Sequence, residues 1–232
     1  MTKQECLDLQ KKLNALGAGL VEDGVYGPKT KAAEEKFLKP AGVVKPKPVA
    51  SGDLFGAPWI GSFLHLLGKH ETDAALNAAL VPEWAKEGLP GYKTLAGNTH
   101  AWCSVLVNAS FRKQGVPGTN SAAAASWSKW GVKCPFWFGA VCDFRHSSGG
   151  RHVGYVLYWI DKSRGVAAVY SGNSGNRLCV AAYNISGNKA GHDELVSGPR
   201  GPRGWVGQEL SKAEVLAKYP QLKVGGTSGS TR

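Results

Sequence analysis

The chain has 232 residues, of which 28 are Lys or Arg and 17 are Asp or Glu, for a formal charge of +11. That length accommodates one domain of ordinary size and a small second one, and 43% hydrophobic with 9% aromatic residues excludes wholesale disorder. No stretch approaches the roughly 18–20 apolar residues of a membrane-spanning helix, so no stable membrane insertion is expected; the positive balance favours a polyanion such as nucleic acid, anionic lipid or an acidic wall polymer.

The N-terminus lacks the apolar core and small-residue cleavage site of a signal peptide, so a cytoplasmic start is expected. The five Cys are then expected to be thiols. Thr2 and Glu5 have the spacing of a capping box at a helix start. Cys6, Leu9, Leu13 and Leu16 follow on one helical face, and Gly17 and Gly19 end the helix. Asp23-Gly24 is a turn signal. Gly27-Pro28 opens a second helix, with Ala32, Ala33, Phe37 and Leu38 as its apolar face. Lys45-Pro46-Lys47-Pro48 reads as an extended spacer. The expected organisation is a small helical domain over 1–40, a Lys/Pro linker over 41–53, a main domain over 54–207, and a short helix with a flexible Gly/Ser tail over 208–232.

In the main domain, His65 and His70 read as ordinary residues of a helix over 61–69. A helix is expected to begin near Cys103, capped by Asn98 or Thr99, with Val105, Leu106 and Ala109 on its apolar face. A Cys in the first turn meets the positive end of the helix dipole, which favours the nucleophilic thiolate. Burial as a small hydrophobe is the competing role. Trp127 and Trp130 lie at i,i+3 spacing on a short helix after an Ala run, where core packing competes with cleft lining. Residues 149–159, 165–171 and 177–183 read as three successive strands. His152 stands at the start of the first and Asn173 after the second. The order Cys103, His152, Asn173 fits a nucleophile, a base that takes the thiol proton and returns it to a leaving amine, and a group that orients the imidazole. Asn176 is a close rival of Asn173 and reads as a turn residue.

Cys134, Cys142, His146 and His152 offer four soft ligands within 19 residues. Their spacings miss the usual close Cys pair of zinc sites, so no metal and no other cofactor is expected. Cys134 and Cys142 are expected to pack in the core or to pair only in an oxidising space. Cys6 and Cys179 read as core and His192 as a loop residue. The aromatics do not interleave with a Lys/Arg cluster, so a nucleic-acid partner is not expected.

Two resemblances add to this reading. Leu9-Gln10, Leu13, Gly17, the run Asp23-Gly24-Val25-Tyr26-Gly27-Pro28-Lys29-Thr30, Ala33 and Phe37 resemble the small peptidoglycan-binding domain of bacterial and phage wall hydrolases. That implies a shallow glycopeptide groove, with Tyr26 and Thr30 as substrate-binding candidates. Pro58-Trp59, Trp102-Cys103, residues 114–119, Ser126-Trp127, Trp130-Gly131, His152-Val153-Gly154 and Gly172-Asn173 resemble the papain-like wall amidases and peptidases of the NlpC and CHAP kind. That resemblance spans about residues 57–207 and departs at Asn98-Thr99-His100-Ala101, where such families often carry acidic or small residues. It implies an α+β papain-like fold, a Cys103 nucleophile, a His152 base and an Asn173 orienter, with the Cys103 N–H in an oxyanion hole. Trp102 and Trp127 are carried as candidate substrate contacts. The function it implies is an endolysin-like peptidoglycan hydrolase, monomeric, held in the host cytoplasm until lysis. A non-catalytic wall-binding protein on the same scaffold and a zinc-dependent wall hydrolase are the alternatives.

Overall fold

The computed structural model describes residues 2–15, 18–37, 54–97, 101–145, 149–185 and 194–227. Leu16, Gly17, Leu38, the Lys/Pro linker, residues 98–100, His146, His192 and the Ser/Gly end of the tail lie outside the described residues. The chain divides into two compact units, Met1–Lys45 and Pro46–Arg232. Among the described residues no helix is long and apolar enough to cross a membrane.

The first unit holds α1 (Lys3–Ala15) and α2 (Pro28–Phe37). The capping box forms: the Thr2 N–H donates to Glu5 Oε2 at 2.6 Å, and the Glu5 N–H to Thr2 Oγ1 at 3.2 Å. Cys6, Gln10 and Leu13 make the buried stripe of α1, and Thr30 and Ala33 are buried on α2. Part of this small core is polar. Gln10 Nε2 donates to Asp23 Oδ1 (2.8 Å), Val25 O (3.1 Å) and Thr30 Oγ1 (3.2 Å), while its Oε1 accepts from the Gly24 N–H at 2.8 Å. Gly24 has φ 73°, and a Cβ there would stand 2.6 Å from Lys3 Cγ. Ala32, expected on the apolar face, is exposed.

In the second unit, residues Pro58–Leu66 form a 3-10 helix broken at Phe63, in place of the regular helix expected over 61–69. His70 lies beyond it, bridged to Arg177. Next come α3 (Ala74–Lys86), α4 (Cys103–Lys113) and a 3-10 turn, Ala124–Lys129. The strands are β1 (Val132–Lys133), β2 (Val141–Arg145), β3 (Arg151–Asp161), β4 (Val166–Ser174), β5 (Arg177–Asn184), β6 (Glu194–Leu195) and β7 (Arg200–Gly201). Then α5 (Lys212–Lys218) and β8 (Gly226–Thr227) close the chain. The architecture is α+β. The sheet order is β1-β7-β2-β3-β4-β5-β8, with β6 on β2; every pairing is antiparallel except the parallel β5–β8 pair.

The sheet is strongly curled. Strands β2 and β5 are three steps apart, about 14 Å if the sheet were flat. Yet the rings of Phe144 on β2 and Tyr183 on β5 stack with centroids 4.9 Å apart. They meet inside the curl, in a cluster with Ala140, Cys142, Val156, Ala167, Val169 and Ala181. Small residues allow this curvature: a Cβ on Gly154 would stand 2.7 Å from Val169 Cγ1. The outer face carries α4, which packs on β3 and β4 and is itself covered by α3 and the Pro58–Leu66 segment. Every residue from Cys103 to Phe111 is buried, so α4 is enclosed rather than amphipathic.

The C-terminal boundary expected at 207/208 is corrected. Leu210, Val215 and Leu222 join the outer-face core, and the Gly225 N–H donates to Val180 O. Gly226-Thr227, expected in a flexible tail, adds a strand to β5. The β4–β5 hairpin turns on Gly175 (φ 57°) and Asn176 (φ 58°), closed by the Ser174–Arg177 pair. Positive φ at both central residues is the requirement of a two-residue type I′ turn.

Candidate functional site

The start of α4 is held from three sides. Trp102, at the N-cap position, is buried, and its ring lies on Gly172 of β4; a Cβ there would stand 2.4 Å from Trp102 Cζ3. Ser104 Oγ donates to Ser121 O at 2.6 Å and accepts from Trp127 Nε1 at 2.8 Å. Asn108 Oδ1 accepts the Thr119 and Asn120 N–H groups, and its Nδ2 donates to Glu87 Oε2 and Ser121 O. Gly118 is required beside it, since a Cβ there would stand 2.1 Å from Asn108 Oδ1. These bonds strap the 117–121 loop across the helix and fix its first residue, Cys103.

Cys103 sits where two strands part. Val156 of β3 exchanges backbone bonds with Gly139 and Ala140 on the β2 side. Alternation along the strand then turns the Val153 N–H toward β4. The β3–β4 pairing begins only at Tyr155–Tyr170, and the Val153 amide lies near enough to Cys103 to pull its thiol pKa down. The first residue of α4 thus packs with Val153 beside the β3–β4 opening.

His152 is the next residue toward the chain start, and its side chain points the other way. Val153 packs in the outer-face core with Cys103. The His152 ring stacks on Tyr183 (5.6 Å, 7°) and Phe144 (6.4 Å) inside the curl. The structure therefore packs Cys103 with Val153 on the outer face while the His152 imidazole lies on the inner face. Asn173 is buried in β4 with φ 61°, within the register break between Ser171 and Ser174. Asn is among the few non-Gly residues that tolerate this conformation. Asn176 is the turn residue, and its carbonyl accepts the Glu71 N–H.

Burial pushes the Cys103 thiol up to about 11; the Val153, Ser104 and Cys103 amides pull the other way and the Asp143 charge adds to the rise. Asp143, on β2, is buried and ion-paired with Arg151, which donates through Nε at 3.1 Å and through Nη2. Desolvation raises the Asp143 carboxyl and Arg151 opposes it.

The expected substrate contacts divide. Trp102 and Trp127 are corrected to core residues, 1% and 0% exposed, with the Trp127 N–H spent on Ser104. In the first unit Thr30 is buried, accepting from Gln10 and donating to Val25 O. Tyr26 is 39% exposed, with its hydroxyl on Glu34. Cys142 lies in the cluster inside the curl, against which Cys134 and Cys179 also pack, all three as free thiols. Among the described residues no group of three or more Cys, His, Asp or Glu is placed to hold a metal. In the sequence Asp143 and Arg151 carry no signal beyond a lone carboxylate between Cys142 and Phe144. No protein family, curated protein or solved structure matches the chain.

Proposed function

We propose that the chain is a papain-like cysteine hydrolase that cuts an amide bond of bacterial peptidoglycan, with the Met1–Lys45 unit as its wall-binding part. The observation that carries this is the Cys103 position: first residue of α4, packed with Val153 on the outer face of β3, with the neighbouring Trp102 ring on Gly172 beside the buried Asn173. A helix start supplies N–H groups without helical acceptors, which suit a developing oxyanion. In this reading His152 takes the Cys103 proton as the sulfur attacks the amide carbonyl. The imidazolium then protonates the leaving amine, and a thioester remains. Water, deprotonated by His152, attacks the thioester, releasing a carboxylic acid and restoring the thiol. The first step requires the start of β3 to rotate about its backbone, because the imidazole stacks on Tyr183 on the face opposite the sulfur; Asn173 holds the ring after that rotation. No metal or cofactor enters this scheme. The expected setting is release from a host cytoplasm to the wall, as a monomer.

A non-catalytic wall-binding role on the same scaffold is the second reading. It is favoured by the 1% exposure of Cys103, its raised thiol and the inward-facing imidazole. Mass spectrometry of purified peptidoglycan incubated with the protein separates the two. The hydrolase reading expects fragments with a new amine and a matching carboxyl, either lactyl or peptidyl. Unchanged peptidoglycan with retained binding supports the second.

A further inference from the structure

Building on the hydrolase reading, we propose that Arg151 is a carboxylate receptor beside Cys103, so that the preferred substrate is an acyl peptide bearing a free carboxylate near the scissile amide. Asp143 and Val153 are direct strand partners, and Val153 joins Cys103 in the outer-face core. Residues directly opposite share a face, as do residues two apart on one strand. Asp143, Arg151 and Val153 therefore rise on the α4 side, where the Asp143 charge reaches the Cys103 thiol. The ion pair is asymmetric: the Asp143 side chain is 1% exposed and that of Arg151 26%. The carboxylate is sunk behind and the guanidinium presented outward. Arg151 uses Nε and Nη2 on Asp143, and among the described residues Nη1 has no protein acceptor. A planar guanidinium fixed from behind, with donors left over, matches a carboxylate better than a mobile lysine would.

A purely structural role accounts poorly for this arrangement. A buried ion pair stabilises little more than apolar residues of the same size. Here its anionic member also acts against the thiolate of Cys103. A carboxylate-binding Arg gives the pair a use: Asp143 holds the guanidinium in place, and the substrate anion completes it. The chain's charge of +11 also favours acidic wall peptides.

The test measures binding to the full chain carrying Cys103→Ala, with the probe L-Ala-γ-D-Glu-L-Lys-D-Ala against the same peptide with its D-Glu carboxylate amidated. Titration calorimetry should give about tenfold or more tighter binding for the carboxylate form, the worth of a charged hydrogen bond. Arg151→Gln should abolish that preference and Arg151→Lys should keep part of it. The double change Asp143→Asn with Arg151→Gln leaves no lone buried carboxylate and should also abolish it, which separates lost recognition from lost folding. Equal binding of both peptides, no binding of either, or a preference that survives Arg151→Gln overturns the proposal. Turnover by the wild type keeps the two readings apart. Equal kcat/KM on both peptides removes the Arg151 role and leaves the hydrolase. No cleavage of either, with an Arg151-dependent binding preference, removes the hydrolase and leaves the receptor.

Discussion

Cys103, the first residue of α4, and Val153 of β3 share the outer-face core, and the Val153 amide pulls the buried thiol's pKa down against the larger rise from burial. This packing, together with the Tyr155 hydroxyl donating to Val107 O, ties the helix to the strand that begins with Arg151 and His152. It also makes the thiol an enclosed one. A nucleophile in this position depends on what opens the site and on what takes its proton.

Alkylation of the resting protein should reflect that enclosure. The thiolate is the reactive form, and Cys103 is held up to about 11. Its modification by iodoacetamide, followed by peptide mapping, should be slow at pH 7 and rise about tenfold per pH unit toward that value. A rate already flat below pH 7 would instead reveal a standing thiolate–imidazolium pair. Stability carries the same signature. The thiol's folded pKa is above its reference of 9.0, so its contribution is complete below pH 9 and is lost as pH climbs through about 11. Cys134 behaves alike, so Cys103→Ala should flatten only part of the alkaline decline in urea midpoint.

Gly172 should tolerate no side chain. A Cβ there would stand 2.4 Å from the Trp102 ring, and both groups are enclosed. Gly172→Ala is expected to cost about 1–3 kcal/mol by overpacking and to displace the start of α4. Urea unfolding measures the first effect and Cys103 alkylation the second.

How much of this was legible depends on whether a residue's surroundings are local. The Thr2–Glu5 box, the start of α2 at Pro28, the start of α4 at Cys103 and the three strands around β3–β5 all follow from short-range signals and stand in the structure. The Gln10 hub ties Asp23, Gly24 and Thr30 to α1 through contacts that the sequence does not display. The direction of His152 was not legible. Both faces of β3 are buried, so apolar residues run continuously through 153–158 and no polar alternation marks which face meets α4. The enclosure of α4 was hidden for a related reason. Ser104, Asn108 and Ser110 look solvent-facing until the 117–121 loop and Trp127 supply their distant neighbours. The β8 strand hides in a Gly-rich tail because its pairing is with β5, about 45 residues earlier.

The two asparagines should separate sharply. Asn173→Ala is expected to lower the wall-lysis rate by something on the order of ten- to a thousandfold, since an unoriented imidazole still visits the productive pose. Asn176→Ala should leave chemistry near wild type while weakening the hairpin by roughly 1 kcal/mol, because a non-Gly residue with φ 58° favours Asn. Turbidity loss of permeabilised cells reads the first effect and thermal unfolding the second. A silent Asn173→Ala would move the orienting role elsewhere.

In the first unit, Gln10→Ala should be more damaging than Tyr26→Ala. Removing Gln10 leaves the Gly24 N–H without its acceptor and the Thr30 hydroxyl with Val25 O alone in a small core, at a cost of about 1–3 kcal/mol, and this unit has little stability to lose. Tyr26 is half out of the fold, so Tyr26→Ala should leave folding intact and weaken sedimentation of the full chain with purified peptidoglycan. Near-equal sedimentation of Tyr26→Ala and wild type at physiological salt would remove Tyr26 from the binding surface.

The most direct measurement is the rate of amide cleavage in purified peptidoglycan by Cys103→Ala beside the wild type, both checked for folding by circular dichroism. Loss of a covalent nucleophile should lower that rate by roughly three or more powers of ten, while Cys6→Ala and Cys179→Ala stay active. A folded Cys103→Ala protein that releases new amines at near the wild-type rate would contradict the account.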